Sequence, residues 1–254
     1  MTSPFNLEEK HILITGASSG IGRQCAITCS QMGAKLTLIA RNENRLKETL
    51  SELDNDKHQY IIQDLTELNK IESIITKATK KNGKIDGFIH AAGIETILPL
   101  KLHTSNIFTE QMNINSFVGF EFTRLIALKK HLSPKGCSIV FISSIMGILG
   151  QSGQVGYCAS KGALISGAKA LAVELANKGI RVNSVLPGQV EGTSMTNRML
   201  EYFSEESLVQ NKKAHLLGWI SPVDVANACV YLLSNAGKKV TGTSLIVDGG
   251  YSAK

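Results

Sequence analysis

Seven short runs of β-branched and aliphatic residues recur along the chain, each separated from the next by a longer stretch with helical spacing. The runs cover residues 11–15, 35–40, 59–63, 85–90, 138–142, 181–186 and 244–247. The helical stretches include 21–31, 44–53, 66–81, 109–131, 155–177 and 222–234. Two parallel strands in one sheet need a crossover of a dozen or more residues, usually a helix, so this alternation predicts a parallel sheet covered on both faces. Pro222 followed by Asp224 suits a first helical turn, and Gly179 suits a helix end. At 254 residues, without repeats or a low-complexity linker, residues 1–254 are expected to form one doubly wound α/β domain with a seven-stranded parallel sheet.

Two segments break the alternation. Residues 95–105, with Pro99, follow the fourth run, and residues 189–218 follow the sixth. The second is too long for a bare connection and predicts inserted helices or a lid. Ligands of open α/β sheets bind beyond the carboxyl ends of the strands. Both segments start there and are expected to wall a substrate pocket.

Composition excludes several classes. The chain is 43% hydrophobic and 19% charged, as soluble globular domains are. No apolar run approaches the roughly 20 residues of a membrane helix. The first ten residues hold Glu8, Glu9 and Lys10 with no apolar core, so neither a signal peptide nor membrane association is expected. Five cysteines lie without metal-ligand spacing, and Cys25 and Cys29 fall on the buried face of a helical stretch. A reduced, cytoplasmic protein without a metal site is expected. The net charge of +6 is spread over many segments and reads as solvated surface, with attraction to an acidic partner as the sharper alternative. No nucleic-acid motif is present.

The first run leads directly into Thr15-Gly16-Ala17-Ser18-Ser19-Gly20-Ile21-Gly22 and then a helix. Glycines so spaced permit a tight turn and close approach of backbone to a pyrophosphate at the helix N-terminus. In a strand–turn–helix context they indicate a Rossmann-type dinucleotide site. The second run ends in Ala40-Arg41-Asn42, where NAD-preferring sites usually carry an acidic residue for the ribose diol. Arg41 can instead pair with a 2′-phosphate, which points to NADP(H). Asp64, followed by Leu65 at the end of the third run, either accepts from the adenine amino group or caps the next helix.

Tyr157 and Lys161 stand four apart on a helical stretch and so share a face. A phenol titrates near pH 10, and a nearby ammonium would lower that value. The pair follows a buried run that ends in Ser143-Ser144, at the binding edge of the sheet. With the Thr15–Gly22 turn, Ser144, Tyr157 and Lys161, Asn115, Pro187-Gly188 and the C-terminal Val240-Thr241-Gly242 to Val247-Asp248-Gly249-Gly250, the chain resembles the short-chain dehydrogenase/reductase family over almost its whole length. Members similar to 3-oxoacyl-carrier-protein reductases are the nearest in kind.

The resemblance implies that Tyr157 gives a proton to the substrate oxygen and Ser144 holds that oxygen. Lys161 would bind the nicotinamide ribose and lower the phenol, and Asn115 would place a water linking Lys161 to solvent. Pro187, Gly188 and Val190 would line the nicotinamide, with Thr193 nearby. Some positions depart from the family pattern. The usual Asn-Asn-Ala-Gly is His90-Ala91-Ala92-Gly93, in which Ala92 and Gly93 keep the close approach and His90 reads as structural. Gly192 stands where a threonine is common, Thr193 follows it, and Trp219 replaces an arginine. Cys158 beside Tyr157 reads as a packed cysteine.

These observations predict an NADPH-dependent reductase acting on a small-molecule carbonyl substrate. The alternatives are a 3-oxoacyl substrate on acyl carrier protein, with Lys129, Lys130 and Lys178 as its docking patch, a sugar or polyol, or a non-catalytic NADPH-binding regulator. The Ala, Gly and Ser content of residues 155–177 would permit close helix contact between subunits, and the resemblance implies a dimer or tetramer.

Overall fold

The structure, a computed structural model, describes residues 3–54, 56–201 and 204–253. All seven runs become strands: β1 (His11–Thr15), β2 (Lys35–Ala40), β3 (Gln59–Ile62), β4 (Gly87–His90), β5 (Cys137–Ile142), β6 (Ile180–Pro187) and β7 (Ser244–Val247). They pair in parallel throughout, in the order β3-β2-β1-β4-β5-β6-β7. The chain winds outward from β1 to β3 and then returns to the other side of β1, so the order reverses between β1 and β4. Ligands bind at such a switch point.

Helices α1 (Gly20–Gln31), α2 (Glu43–Ser51), α3 (Ile71–Asn82), α4 (Ser105–Met112), α5 (Val118–Ile126), α6 (Val155–Leu175), α7 (Ser194–Leu200), α8 (Glu205–Ala214) and α9 (Pro222–Leu233) complete the described chain. Period-two alternation on strands buried on both sides divides the core. Ile12 and Ile14 of β1 pack with Cys25, Leu46 and Val225 of α1, α2 and α9. Leu13 between them packs with Ile71, Phe122 and Leu164 of α3, α5 and α6. Pro222 opens α9 as expected, with the Ser221 amide donating to Asp224 Oδ2 at 2.7 Å. Gly179 takes a left-handed conformation, φ +70°, between α6 and β6.

One expectation needs correction. Residues 109–131 do not form one helix. α4 begins earlier, capped by Thr104, and Asn113–Phe117 wind as a turn of π-helix before α5. Two glycines of α6 face neighbouring helices of the chain. A Cβ on Gly156 would lie 2.1 Å from Gln111 Oε1 of α4, and one on Gly167 would lie 2.4 Å from the Phe120 ring of α5. Their smallness lets α6 seat on its own neighbours. The segment after β6 does carry inserted helices, α7 and α8.

Candidate active site

Between β1 and α1 the glycines are required by space. Gly16 has φ +68°, and a Cβ there would stand 2.8 Å from the Ala92 amide nitrogen; one on Gly22 would meet the Gly16 carbonyl at 2.4 Å. The turn therefore lies flat against the segment after β4 and presents the N-terminus of α1 to a cleft of about 750 Å³. That volume is typical of small-molecule sites.

At one end of the cleft, Ser18, Ser19, Gly20 and Ile21 face Arg41, Asp64 and Leu65. Asn42 and Arg45, which the sequence reading did not single out, line the same end. Asn42 caps α2 by accepting from the Arg45 amide at 3.0 Å, and this fixes the approach of Arg45. Arg41 is largely exposed and stands 3.7 Å from Asp64 Oδ2. Asp64 Oδ1 accepts from the Thr66 amide and hydroxyl at 3.0 and 2.9 Å. Those bonds, the amide first, hold its carboxyl below the usual range, with burial opposing and Arg41 assisting. Asp64 thus closes the local turn; the helical chain starts only at Leu68, with Glu67 in the cap position.

At the other end, β5 delivers Ser144 and α6 delivers Tyr157 and Lys161, all with under a tenth of their surface exposed. Ser144 Oγ accepts from the Met146 amide at 3.1 Å. Lys161 Nζ donates to the Ile142 carbonyl at 2.8 Å and lies 5.7 Å from the centre of the Tyr157 ring. Burial lowers the ammonium to about 8, partly offset by Glu95. Tyr157 departs from expectation: burial, then the charge of Glu95, raise its phenol above its ordinary value, and the Ser144 hydroxyl only partly opposes them.

Asn115 sits on the π-turn, fully buried, and clamps the segment after β4. Its Oδ1 accepts from the Ile94 amide at 2.8 Å, while its Nδ2 donates to the Ile94 carbonyl and the Ser160 hydroxyl. Gly93 lies in between, and a Cβ on it would come within 3.3 Å of both Asn115 Oδ1 and Lys161 Nζ. His90 extends the clamp. Its Nδ1 is 2.9 Å from Thr15 Oγ1, and its Nε2 is 3.1 and 3.2 Å from the Ile114 and Asn115 carbonyls. Two carbonyls require a donor, so Nε2 carries the proton and the Thr15 hydroxyl donates to Nδ1. Burial, with help from Lys161, pushes this histidine down to about 3, and the ring stays neutral. His90 is the structural histidine expected.

The remaining sequence candidates divide. Ala92, Gly93, Gly188, Val190 and Thr193 line the cleft. Pro187 ends β6 opposite Val247 and is not among the lining residues. Thr193 caps α7 by accepting from the Thr196 amide at 3.1 Å, and its methyl group is 3.5 Å from where a Cβ on Gly20 would be. It thereby seats the inserted helices against the glycine turn. Trp219 turns to Asn211: its Nε1 donates to Asn211 Oδ1 at 2.9 Å, and Asn211 lines the cleft. Sequence reading missed Glu95 and Gln154, both at the Tyr157 end. Lys129 and Lys130 precede β5, and Lys178 precedes β6. They lie at the amino edge of the sheet, opposite the cleft, and Lys130 pairs with Glu72. A carrier protein seated there would face away from Tyr157.

A family model described as enoyl-(acyl carrier protein) reductase matches residues 16–252. The chain belongs to the short-chain dehydrogenase/reductase family. Among its relatives, a 3-oxoacyl-[acyl-carrier-protein] reductase of Rickettsia prowazekii is 37% identical over 247 residues, covering 97% of this chain and 98% of that protein. A cyclopentanol dehydrogenase of a Comamonas species is 32% identical over 250 residues, covering 97% and 98%. The crystal structure of a dehydrogenase/reductase from Sinorhizobium meliloti superposes with a TM-score of 0.90 at 30% identity, covering 98% of this chain and 97% of that one.

Short-chain dehydrogenases/reductases are oxidoreductases that use a nicotinamide dinucleotide, and this chain has the place for one. Ser18, Ser19, Gly20 and Ile21, at the N-terminus of α1, line the cleft together with Arg41. No helix among the described residues is long and apolar enough to cross a membrane. Among them, too, no group of three or more His, Cys, Asp and Glu side chains is placed to hold a metal ion. Cys25, Cys29, Cys137 and Cys229 are buried free thiols, and Cys158 is partly exposed.

Proposed function

We propose that this short-chain dehydrogenase/reductase reduces a ketone to a secondary alcohol with NADPH, Tyr157 supplying the proton. The observation that carries this reading is the placement of the Tyr157 phenol on the cleft with Ser144, one helical turn before Lys161. Burial and the carboxylate of Glu95 favour the neutral phenol. A neutral phenol is a donor, as reduction requires. Bound nicotinamide would supply the hydride to the carbonyl carbon.

The chain's own groups divide the remaining work. Ser144 holds the carbonyl oxygen and stabilises its developing negative charge. Tyr157 transfers its proton to that oxygen. Lys161, an ammonium at neutral pH, holds the nicotinamide ribose, and Asn115 fixes the backbone beside it and belongs to the path that restores the proton. Arg41, with Arg45 and Asn42 beside it, supports preference for the 2′-phosphate of NADPH. Assembly as a dimer or tetramer is expected from the family.

A second reading, reduction of a 3-oxoacyl thioester on acyl carrier protein, is favoured by the names of the Rickettsia relatives. The same assay addresses both. Consumption of NADPH is followed with diketones, quinones, keto-sugars and acetoacetyl thioesters. Tyr157→Phe should slow every active substrate by on the order of 10²–10⁴, the worth of a positioned acid. NADPH affinity should stay within a few-fold. Parental turnover by Tyr157→Phe would remove Tyr157 as donor.

A further inference from the structure

Beside Tyr157 the cleft carries a carboxylate that proton transfer does not use. Glu95 follows β4 and lines the cleft, partly buried, together with Gln154, the residue just before α6. Gln154 Nε2 donates to Glu95 Oε1 at 2.6 Å. Gln154 is itself 2% exposed, and its Oε1 has no hydrogen-bond partner. Glu95 makes no ion pair among the described residues, although the charges of Lys161 and Arg198 reach it and burial raises its carboxyl. This side of the pocket therefore holds a carboxylate with one oxygen on Gln154 and no ion pair among the described residues. Elsewhere in the lining, Asn211 has its Oδ1 engaged by Trp219, which leaves its amide nitrogen as donor, and Arg198 adds a guanidinium.

An alkyl chain laid along Glu95 would leave a desolvated carboxylate facing carbon, a penalty a pocket built for acyl chains would not carry. A hydroxyl group answers it, because it can donate to the carboxylate. We infer that Glu95, held by Gln154, is a specificity residue that accepts a hydrogen bond from a substrate hydroxyl. The compound reduced at Tyr157 is accordingly a hydroxylated ketone, with a polyol as product, and not an acyl thioester. This assignment rests on the reductase reading above.

The test compares kcat/KM with NADPH for ketones differing by one hydroxyl, 3-hydroxy-2-butanone and 2-butanone, alongside keto-sugars and an acetoacetyl thioester. Parent, Glu95→Gln and Glu95→Leu are assayed. Xylitol binding to the NADPH-saturated protein is measured by calorimetry in parallel. A hydrogen bond to a charged acceptor corresponds to a preference of about 10- to 100-fold for the hydroxylated ketone in the parent. Glu95→Leu should bring that ratio near one and weaken xylitol at least about tenfold, with Glu95→Gln in between. If the parent reduces the thioester or 2-butanone as well as the hydroxylated ketones, and Glu95→Leu leaves the ratio unchanged, the inference fails while the reductase stands. If the parent reduces no ketone, the reductase reading fails; xylitol binding that depends on Glu95 then still supports the hydroxyl site, and its absence overturns it.

Discussion

Replacing Lys161 with methionine should stabilise the fold near pH 7 while abolishing reduction. The ammonium is buried, and burial lowers it from 10.5 to about 8. The unfolded chain keeps the ordinary value, so below pH 8 the folded state holds this charge at a disadvantage. At about 1.4 kcal/mol per pH unit, the gap between the two values amounts to about 3 kcal/mol. Between about pH 8 and 10.5 the unfolded state binds more protons than the folded one, so the disadvantage is relieved as pH rises through that window. Methionine fills much of the same volume without charge. It leaves the Ile142 carbonyl, 2.8 Å from Nζ, without its donor, which costs about 1 kcal/mol. A net gain of about 2 kcal/mol at pH 7 remains, or about 4–8 °C in Tm for a chain of this size. Urea and thermal melts at pH 7 and pH 10 measure it, and the advantage should shrink at the higher pH. A variant less stable than its parent at pH 7, or an advantage that persists at pH 10, would refute the picture of Lys161 as a desolvated cation.

Two further predictions concern the cofactor and the clamp under the glycine turn. Because Arg41 is exposed and shared with Asp64, NADPH should be preferred over NADH by roughly 10- to 100-fold in kcat/KM. Exchanging Ala40 for Asp and Arg41 for Ala should invert the preference, and equal use of both cofactors by the parent would defeat the assignment of Arg41. His90 stays neutral down to about pH 3, whereas the unfolded chain takes up this proton near pH 6.5. Its contribution to stability is therefore present above 6.5 and lost progressively as pH falls toward 3. His90→Asn should lower Tm at pH 7 yet show a shallower acid slope, by about one proton, in melts between pH 6.5 and 4; an unchanged slope would remove His90 from the acid response.

The sheet was legible because its central strands are buried on both faces and largely apolar; β1, β2 and β7 have the boundaries their residues suggested. Boundaries moved where a long-range contact decides them. Ile85 pairs as an isolated bridge with Leu132, so β4 starts two residues later than its apolar run. The glycine turn and the Tyr157–Lys161 pair were legible because their chemistry lies in local spacing. Glu95 was not, since a carboxylate in a loop reads as solvated until Gln154, 59 residues away, closes over it. Nor was the direction of the Tyr157 shift, because sequence spacing shows the neighbouring ammonium but not the burial.

The π-turn at Asn113–Phe117 has an effect on phase. An α-helix advances about 100° per residue, and a π-turn holds one residue more for the same circuit. The surplus residue uncouples the two segments it joins, so α4 can face the Gly156 end of α6 while α5 points Phe122 into the sheet. Removing one residue between 113 and 117 would restore a continuous helix and swing one side of the break by about 100° relative to the other. Either Asn115 would leave Ile94, or Phe122 would leave the core. Length at this point is thus as constrained as identity, although no single side chain in the stretch announces it.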